Sequence, residues 1–373
     1  MRIGINARRL EGQPLGVARY IEYLLAHWRS LFRDDEEARL YVREPLPPDR
    51  LPSDRHYAVE VVRPKLQGFA WENVALARAI RDVDVFFGPS YSLPLPYRGR
   101  AVVAIHSVNE IQEGTHQWWY PLTYTRLYRA SARKAARVIV PTESVRRDLE
   151  AAYGINGSRI AVVPQGVDDD FRRVEDDELL RSTRIELLGE DRPYVVFVGK
   201  LSQRRNIPLL IEAFAQATRL TPELPHKLLL FGPNHLNLPL ERIAEEQGIA
   251  DRVVQTDGVL ERHHDLTRIY SAADAYISAS AYEGFSMTAV EAMACGTPVV
   301  GVDRAAFAEI VDGAGRLVPD PSVQSLAEAL AEVLVDGELR RTLGARGSER
   351  AARFRWHDIA RDTLEILREV AES

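Results

Sequence analysis

Short runs of β-branched and apolar residues recur along the chain at Arg2–Asn6, Asp84–Phe87, Ala101–His106 and Arg137–Val140, separated by longer amphipathic stretches. A short run that is apolar almost throughout predicts a strand buried on both faces, and the stretches between predict helices. Strands alternating with helices fold as a parallel sheet covered by helices. The rhythm begins again at Tyr194–Val198 and continues through Lys227–Phe231, Val253–Gln255, Ala275–Ile277 and Pro298–Val302. Two α/β units are therefore expected. Between them, Val167–Arg192 is rich in acids and arginines and lacks a strand period, which predicts a linker with a surface helix. The expected division is 1–170, a linker at 171–192, and 193–355. A last amphipathic helix, with Trp356, Ile359, Thr363 and Ile366 on one side, is expected to pack back on the first unit.

Length agrees with this division, because 373 residues exceed one ordinary core. A net charge of −6 argues against nucleic acid as the main partner, since phosphate-backbone binding needs a basic surface. The single Cys295 cannot close an intramolecular disulfide, and Met1-Arg2 leads straight into a strand rather than a signal peptide. A cytoplasmic protein is expected. Apolar runs such as Tyr194–Val198 fall far short of the roughly 20 residues a membrane helix needs, so any membrane contact would be peripheral.

The stretch richest in chemistry runs from Tyr282 to Val300. A strand ends near Ser278, a loop holds Glu283 and Gly284, a helix opens near Ser286, and Gly296 with Pro298 stops it. Free amides and aligned peptide dipoles at such a helix start suit a diphosphate, and Gly284 removes a side chain that would block close approach. Glu291 lies roughly 7 Å along that helix while Glu283 stays in the loop. The two carboxylates can flank a diphosphate, one toward a sugar and one toward a ribose. The apolar Ala292, Met293 and Ala294 after Glu291 are an unlikely setting for an idle acid.

This segment resembles the Glu-x7-Glu signature of retaining GT-B glycosyltransferases. Its tail, Glu-Ala-Met-Ala-Cys-Gly-Thr-Pro-Val-Val, resembles glycosyltransferase family four. The family's usual Glu-Gly-Phe-Gly stands here as Glu-Gly-Phe-Ser, so Ser286 either donates its hydroxyl to a phosphate or caps the helix. The segment Val198-Gly199-Lys200-Leu201-Ser202-Gln203-Arg204-Arg205-Asn206-Ile207 resembles the family's basic loop, which places cations on the donor diphosphate. Arg205 matches the usual lysine and Lys200 the usual arginine, whereas Arg204 is as well explained by a solvated charge.

In the first unit, Gly12–Tyr20 resembles the family's N-terminal glycine loop, which makes Gly16 a close-approach position. Ala104-Ile105-His106-Ser107 stands where the family commonly carries His-Asp, and His106 at a strand end becomes a candidate sugar contact. The alternative is a buried structural histidine. Asp84–Tyr91 is expected on the acceptor side, and Val163–Asp168 resembles a Pro-Asn-Gly-Val-Asp turn with Gln165 for asparagine. Asp168-Asp169-Asp170 imitates a metal motif of another fold but reads better as solvated acids.

The resemblance implies a GT-B α/β fold with two Rossmann-like doubly wound domains facing across a cleft. It implies donor binding by Gly16, Gly199, Lys200, Arg205, Glu283, Gly284, Phe285, Ser286, Met287, Thr288 and Glu291. Catalytic roles fall to Glu283, His106, Lys200 and Arg205, with no metal and no cofactor. It favours same-face attack over a covalent intermediate, a nucleotide sugar donor with GDP-mannose the first to try, and a glycan or lipid-linked acceptor. A sugar-nucleotide epimerase and a non-catalytic nucleotide-sugar-binding subunit are the rival readings. Arg126, Arg129, Arg133 and Arg137 recur at helical spacing beside Lys134 and downstream of Trp118, Trp119 and Tyr120. They outline a face for peripheral contact with anionic lipid, or an ordinary solvated helix.

Overall fold

The computed structural model describes residues 1–12, 16–47, 50, 54–109, 124–260 and 262–373. The chain divides into two compact units, Met1–Gly166 with Trp356–Ser373, and Val167–Arg355.

The first unit is built on seven parallel strands: β1 Arg2–Asn6, β2 Glu37–Val42, β3 Tyr57–Val61, β4 Val85–Gly88, β5 Ala101–Ala104, β6 Arg137–Val140 and β7 Ile160–Val162. Their order is β3-β2-β1-β4-β5-β6-β7, so the winding direction reverses between β1 and β4. β4 and β5 are buried at every residue, as their unbroken apolar sequence requires. The helix Trp356–Glu372 belongs to this unit and buries Trp356, Ile359, Ala360, Thr363, Leu364, Ile366, Leu367 and Val370. Trp28 donates its indole N–H to the carbonyl of Ala360 at 2.8 Å, and Arg368 pairs with buried Glu36 at 2.6 Å. Gly166 lies so close to Trp356 that a Cβ there would meet the indole at 2.6 Å, which explains a glycine at this turn.

The second unit holds six parallel strands: β8 Tyr194–Val198, β9 Lys227–Phe231, β10 Val253–Thr256, β11 Ala275–Ser278, β12 Val299–Val302 and β13 Arg316–Val318. The order β10-β9-β8-β11-β12-β13 reverses between β8 and β11. β8 shows why the sheet is central: Val195 and Phe197 pack into one apolar cluster, and Tyr194, Val196 and Val198 into another. That is the period-two alternation of a strand covered on both faces.

The expected linker at 171–192 is corrected. Phe171 is buried in the core of the second unit, and the helix Asp177–Leu188 buries Leu180, Thr183 and Leu188 there. Asp176 caps this helix by accepting from Glu178 and Leu179, Gly189 ends it at φ +77°, and Glu186 accepts from Arg268 at 2.9 Å. The surface helix expected in this stretch is present, and its acids and arginines form the outer face of a helix packed on the second unit.

Candidate active site

In an open parallel sheet, ligands gather beyond the carboxyl ends of the strands where the winding reverses. In the second unit that place lies between the loops following β8 and β11, which carry the two motifs singled out in the sequence. After β8 the chain passes Gly199 at φ +133° and the exposed Lys200, makes a short turn over Gln203–Arg205, and enters the helix Ile207–Leu220 through Asn206 at φ +49°. After β11 it runs through Tyr282, Glu283, Gly284 and Phe285, all buried, into the helix Met287–Ala294.

The loops are joined by charge. Glu283, 5% exposed, faces Arg205 at 2.6 Å and Arg204 at 3.1 Å. Burial alone would raise its carboxyl, but Arg205 and then Arg204 outweigh it and hold Glu283 below the ordinary carboxylate range. Arg204 also donates to the carbonyl of Tyr282 at 3.1 Å, so the solvated-charge reading of Arg204 is corrected: it is half of a clamp on Glu283. Arg205 also stands over the ring of Phe197 at 5.8 Å. Two guanidinia against one carboxylate leave a net positive locus beside a helix start.

Ser286 occupies the N-terminal position of the helix at φ +72° and ψ +64°, a left-handed conformation. Its hydroxyl makes no capping bond and has no partner although the residue is 6% exposed, so capping is excluded as its role. The left-handed backbone also accounts for the glycine usual in the resembled motif. Phe285 packs edge-on against Phe354 at 5.5 Å, and Thr288 shares a hydrogen bond with the Tyr276 hydroxyl at 2.9 Å. Met287 and Thr288 are half-buried.

Glu291 is 3% exposed. One oxygen accepts from the Tyr270 hydroxyl at 3.1 Å and the other from His263 Nε2 at 2.8 Å. Neither partner was anticipated from sequence, because His263 lies 28 residues away with no motif linking them.

In the first unit, Gly16 precedes the helix Val17–Leu31 at φ +50°, and Gln13–Leu15 of its loop lie outside the described residues. His106 sits just beyond β5. Its Nε2 donates to the carbonyl of Pro89 at 2.8 Å, which leaves Nδ1 to accept from the Gln165 amide at 3.0 Å. Burial, helped by the charge of Arg9, lowers its pKa to about 4 against the Pro89 bond, so the ring is neutral near pH 7. The expected sugar contact is thus revised. Both nitrogens are engaged within the unit, and Gln165 is the residue that orients the imidazole. In the segment expected on the acceptor side, Arg9 donates to Ser90 Oγ at 3.0 Å, bridging the loops after β1 and β4.

Part of the basic face is engaged within the unit. Arg129 and Arg133 both donate to the carbonyl of Tyr153, at the end of the helix Glu143–Tyr153, where cations complement the helix dipole. Arg137 donates to Ser158 at 2.6 Å, and Arg126 is exposed. Trp118 and Trp119 lie outside the described residues. Among the described residues no helix is long and apolar enough to cross a membrane, and no group of three or more His, Cys, Asp or Glu is placed to hold a metal ion.

Comparison with known proteins agrees with this arrangement. Residues 181–350 match the family of glycosyl transferases group 1, and residues 15–171 match glycosyltransferase family 4. The chain is 31% identical over 239 residues to the D-inositol 3-phosphate glycosyltransferase of Corynebacterium urealyticum, covering 62% of this chain and 56% of that protein. The Nocardia farcinica protein of the same description is 33% identical over 62% of this chain and 52% of its own length. The MMP alpha-(1->4)-mannosyltransferase of Mycolicibacterium hassiacum is 28% identical over 69% of this chain and 61% of its own length. The matched segment thus spans little more than half of these relatives. Among solved structures, sucrose-phosphate synthase from Thermosynechococcus elongatus superposes with a TM-score of 0.81 at 22% identity, covering 100% of both chains. Anabaena HepE in complex with UDP and glucose gives 0.79 at 20% identity, covering 99% of this chain and 100% of that one. These likenesses and the two parallel sheets give the fold as GT-B. Family 4 glycosyltransferases are thus matched along most of the first unit and group 1 glycosyl transferases along most of the second, so both units of the chain are similar to these glycosyltransferases.

Proposed function

We propose that this protein is a retaining hexosyltransferase that moves a sugar from a nucleoside diphosphate to a hydroxyl of a glycan or lipid-linked acceptor. The observation that carries the reading is the meeting of the β8 and β11 loops. Arg204 and Arg205 face Glu283 beside a helix start where the buried Ser286 hydroxyl has no partner. That set can bind a diphosphate: guanidinia, helix amides and one hydroxyl for its oxygens, with exposed Lys200 at the edge. As the sugar–phosphate bond breaks, negative charge grows on the leaving oxygen, and fixed cations stabilise it. Glu283, kept ionised by its arginines, is then the group for the donor sugar's hydroxyls, and Glu291 the group for the ribose. Same-face attack suits this inventory, since the departing phosphate can take the acceptor proton and no side chain need become a nucleophile. The mannosyltransferase relative makes GDP-mannose the first donor to test, and the UDP and glucose in the HepE structure make UDP-sugars the next.

The test is nucleotide release from a panel of nucleotide sugars, with and without polyol, glycan and lipid-linked acceptors, followed by assignment of the product anomer. Acceptor-dependent release with retained configuration supports the reading. Release with inverted configuration refutes the retaining mechanism. Sugar conversion without any acceptor would make the protein an epimerase, and binding with no turnover would make it a binding subunit.

A further inference from the structure

Glu291 is a carboxylate in the middle of a buried helix, and its surroundings supply two donors on two different oxygens. Tyr270, fully buried in the helix Leu266–Ser271, holds Oε2 at 3.1 Å. His263, in the short turn His263–Asp265, holds Oε1 through Nε2 at 2.8 Å. Two donors on separate oxygens fix the plane of a carboxylate as well as its position, which a single donor cannot do. The donors are themselves held. His263 packs on Phe171 with centroids 5.3 Å apart, Phe171 lies 6.3 Å from Tyr270, and the turn is closed by Arg262 donating its backbone N–H to Asp265 at 3.1 Å. The imidazole is the solvent-side end of this chain of contacts: its side chain is 29% exposed against 4% for Glu291.

We infer that His263 is a positioning residue for nucleotide binding. It holds Glu291 in the orientation that meets a ribose diol, acting through the carboxylate and not by touching the ligand. The inference rests on the nucleotide-sugar reading above and goes beyond it, because it assigns the connection between β10 and β11 a part in the affinity of a site carried by the helix after β11. A carboxylate fixed in plane accepts best from two donors at a set separation, as a vicinal ribose diol presents. The site should therefore favour ribonucleoside over 2′-deoxyribonucleoside diphosphates, and this preference should depend on His263.

Calorimetric titration of UDP, GDP and ADP, and of the 2′-deoxy analogue of whichever binds, into the full chain and its variants tests this. His263→Ala should weaken ribonucleoside diphosphate binding by about tenfold, the range for losing one hydrogen bond to a charged group, and reduce the preference over the 2′-deoxy analogue. KM for the donor should rise with kcat little changed. His263→Gln, which can place an N–H near the position of Nε2, should recover most of the loss. In a Glu291→Gln background, His263→Ala should add little, because the group it positions is already gone. Wild-type affinity in His263→Ala, with unfolding unchanged, overturns the inference. Equal weakening in both backgrounds also overturns it, since His263 would then contact the ligand itself. If the wild-type chain binds none of the three nucleotides, the glycosyltransferase reading fails first and this inference falls with it.

Discussion

Replacing Ser286 by glycine should make the protein more stable and a poorer binder of nucleoside diphosphate. Ser286 carries two costs in the unliganded fold. Its backbone is left-handed at φ +72°, about 1–2 kcal/mol for a residue with a Cβ, and its buried hydroxyl lacks a partner, about 1–3 kcal/mol. Glycine removes both and loses about 0.5–1 kcal/mol to its greater freedom in the unfolded chain. The net gain is about 1–4.5 kcal/mol, a rise in Tm of about 2–18 °C at the roughly 2–4 °C per kcal/mol of a domain of this size. Ser286→Ala keeps the backbone cost and removes only the hydroxyl, so it should fall between the two. If the hydroxyl is retained for a phosphate oxygen, both variants should bind nucleoside diphosphate about five- to tenfold more weakly than wild type. Thermal unfolding with and without nucleotide reads both effects: glycine raises the unliganded Tm and shrinks the ligand-induced increment. A lower Tm for Ser286→Gly would refute the strain argument, and an unchanged ligand increment would refute the phosphate role.

Three further outcomes are expected. His106 has a folded pKa of about 4 against 6.5 when free, so between those values the unfolded chain takes up a proton that the folded chain refuses, and stability falls as pH falls through that window. From pH 7.5 to 5 the loss is about 2 kcal/mol; urea titrations of wild type and His106→Gln should differ in their pH dependence by about that amount, and parallel curves would show that His106 is not buried neutral. Glu283→Gln should depress turnover far more than nucleotide affinity, because Arg204 and Arg205 are released toward the diphosphate while the sugar contact is lost; equal losses in kcat and affinity would remove the distinction. Transfer should persist in excess chelator, since Lys200, Arg204 and Arg205 with the helix amides supply the positive charge for the leaving group; loss of turnover restored by magnesium or manganese would defeat this.

What could be read from sequence, and what could not, divides along a physical line. Strands buried on both faces declare themselves in a few consecutive residues, so β1, β6, β8 and β9 have the limits their apolar runs suggest. β3, β7 and β13 lie at sheet edges, where half the environment is solvent or loop and the apolar run is diluted, and β2 carries Glu37 and Arg39 within it. The same line runs through the site. A loop that opens a helix toward a phosphate needs room for close approach, and that local demand made Gly284 visible, whereas Gly199 and Ser286 were reached through the resembled motifs. The partners of the charged residues obey no local demand. Arg204 meets Glu283 from 79 residues away, His263 meets Glu291 from 28, and Gln165 meets His106 from 59, each through segments that the sheet sets side by side. Pattern reading therefore located the backbone of the site while misjudging which side chains share a proton or a charge. For Arg204 the sequence left a solvated charge as good a reading as a phosphate contact, although parallel strands bring their carboxyl ends together and a loop cation there meets whatever acid the neighbouring loop presents. Charged residues within a few positions of a strand's carboxyl end, in loops flanking the reversal of winding, deserve to be read in pairs across that reversal before either is assigned to solvent.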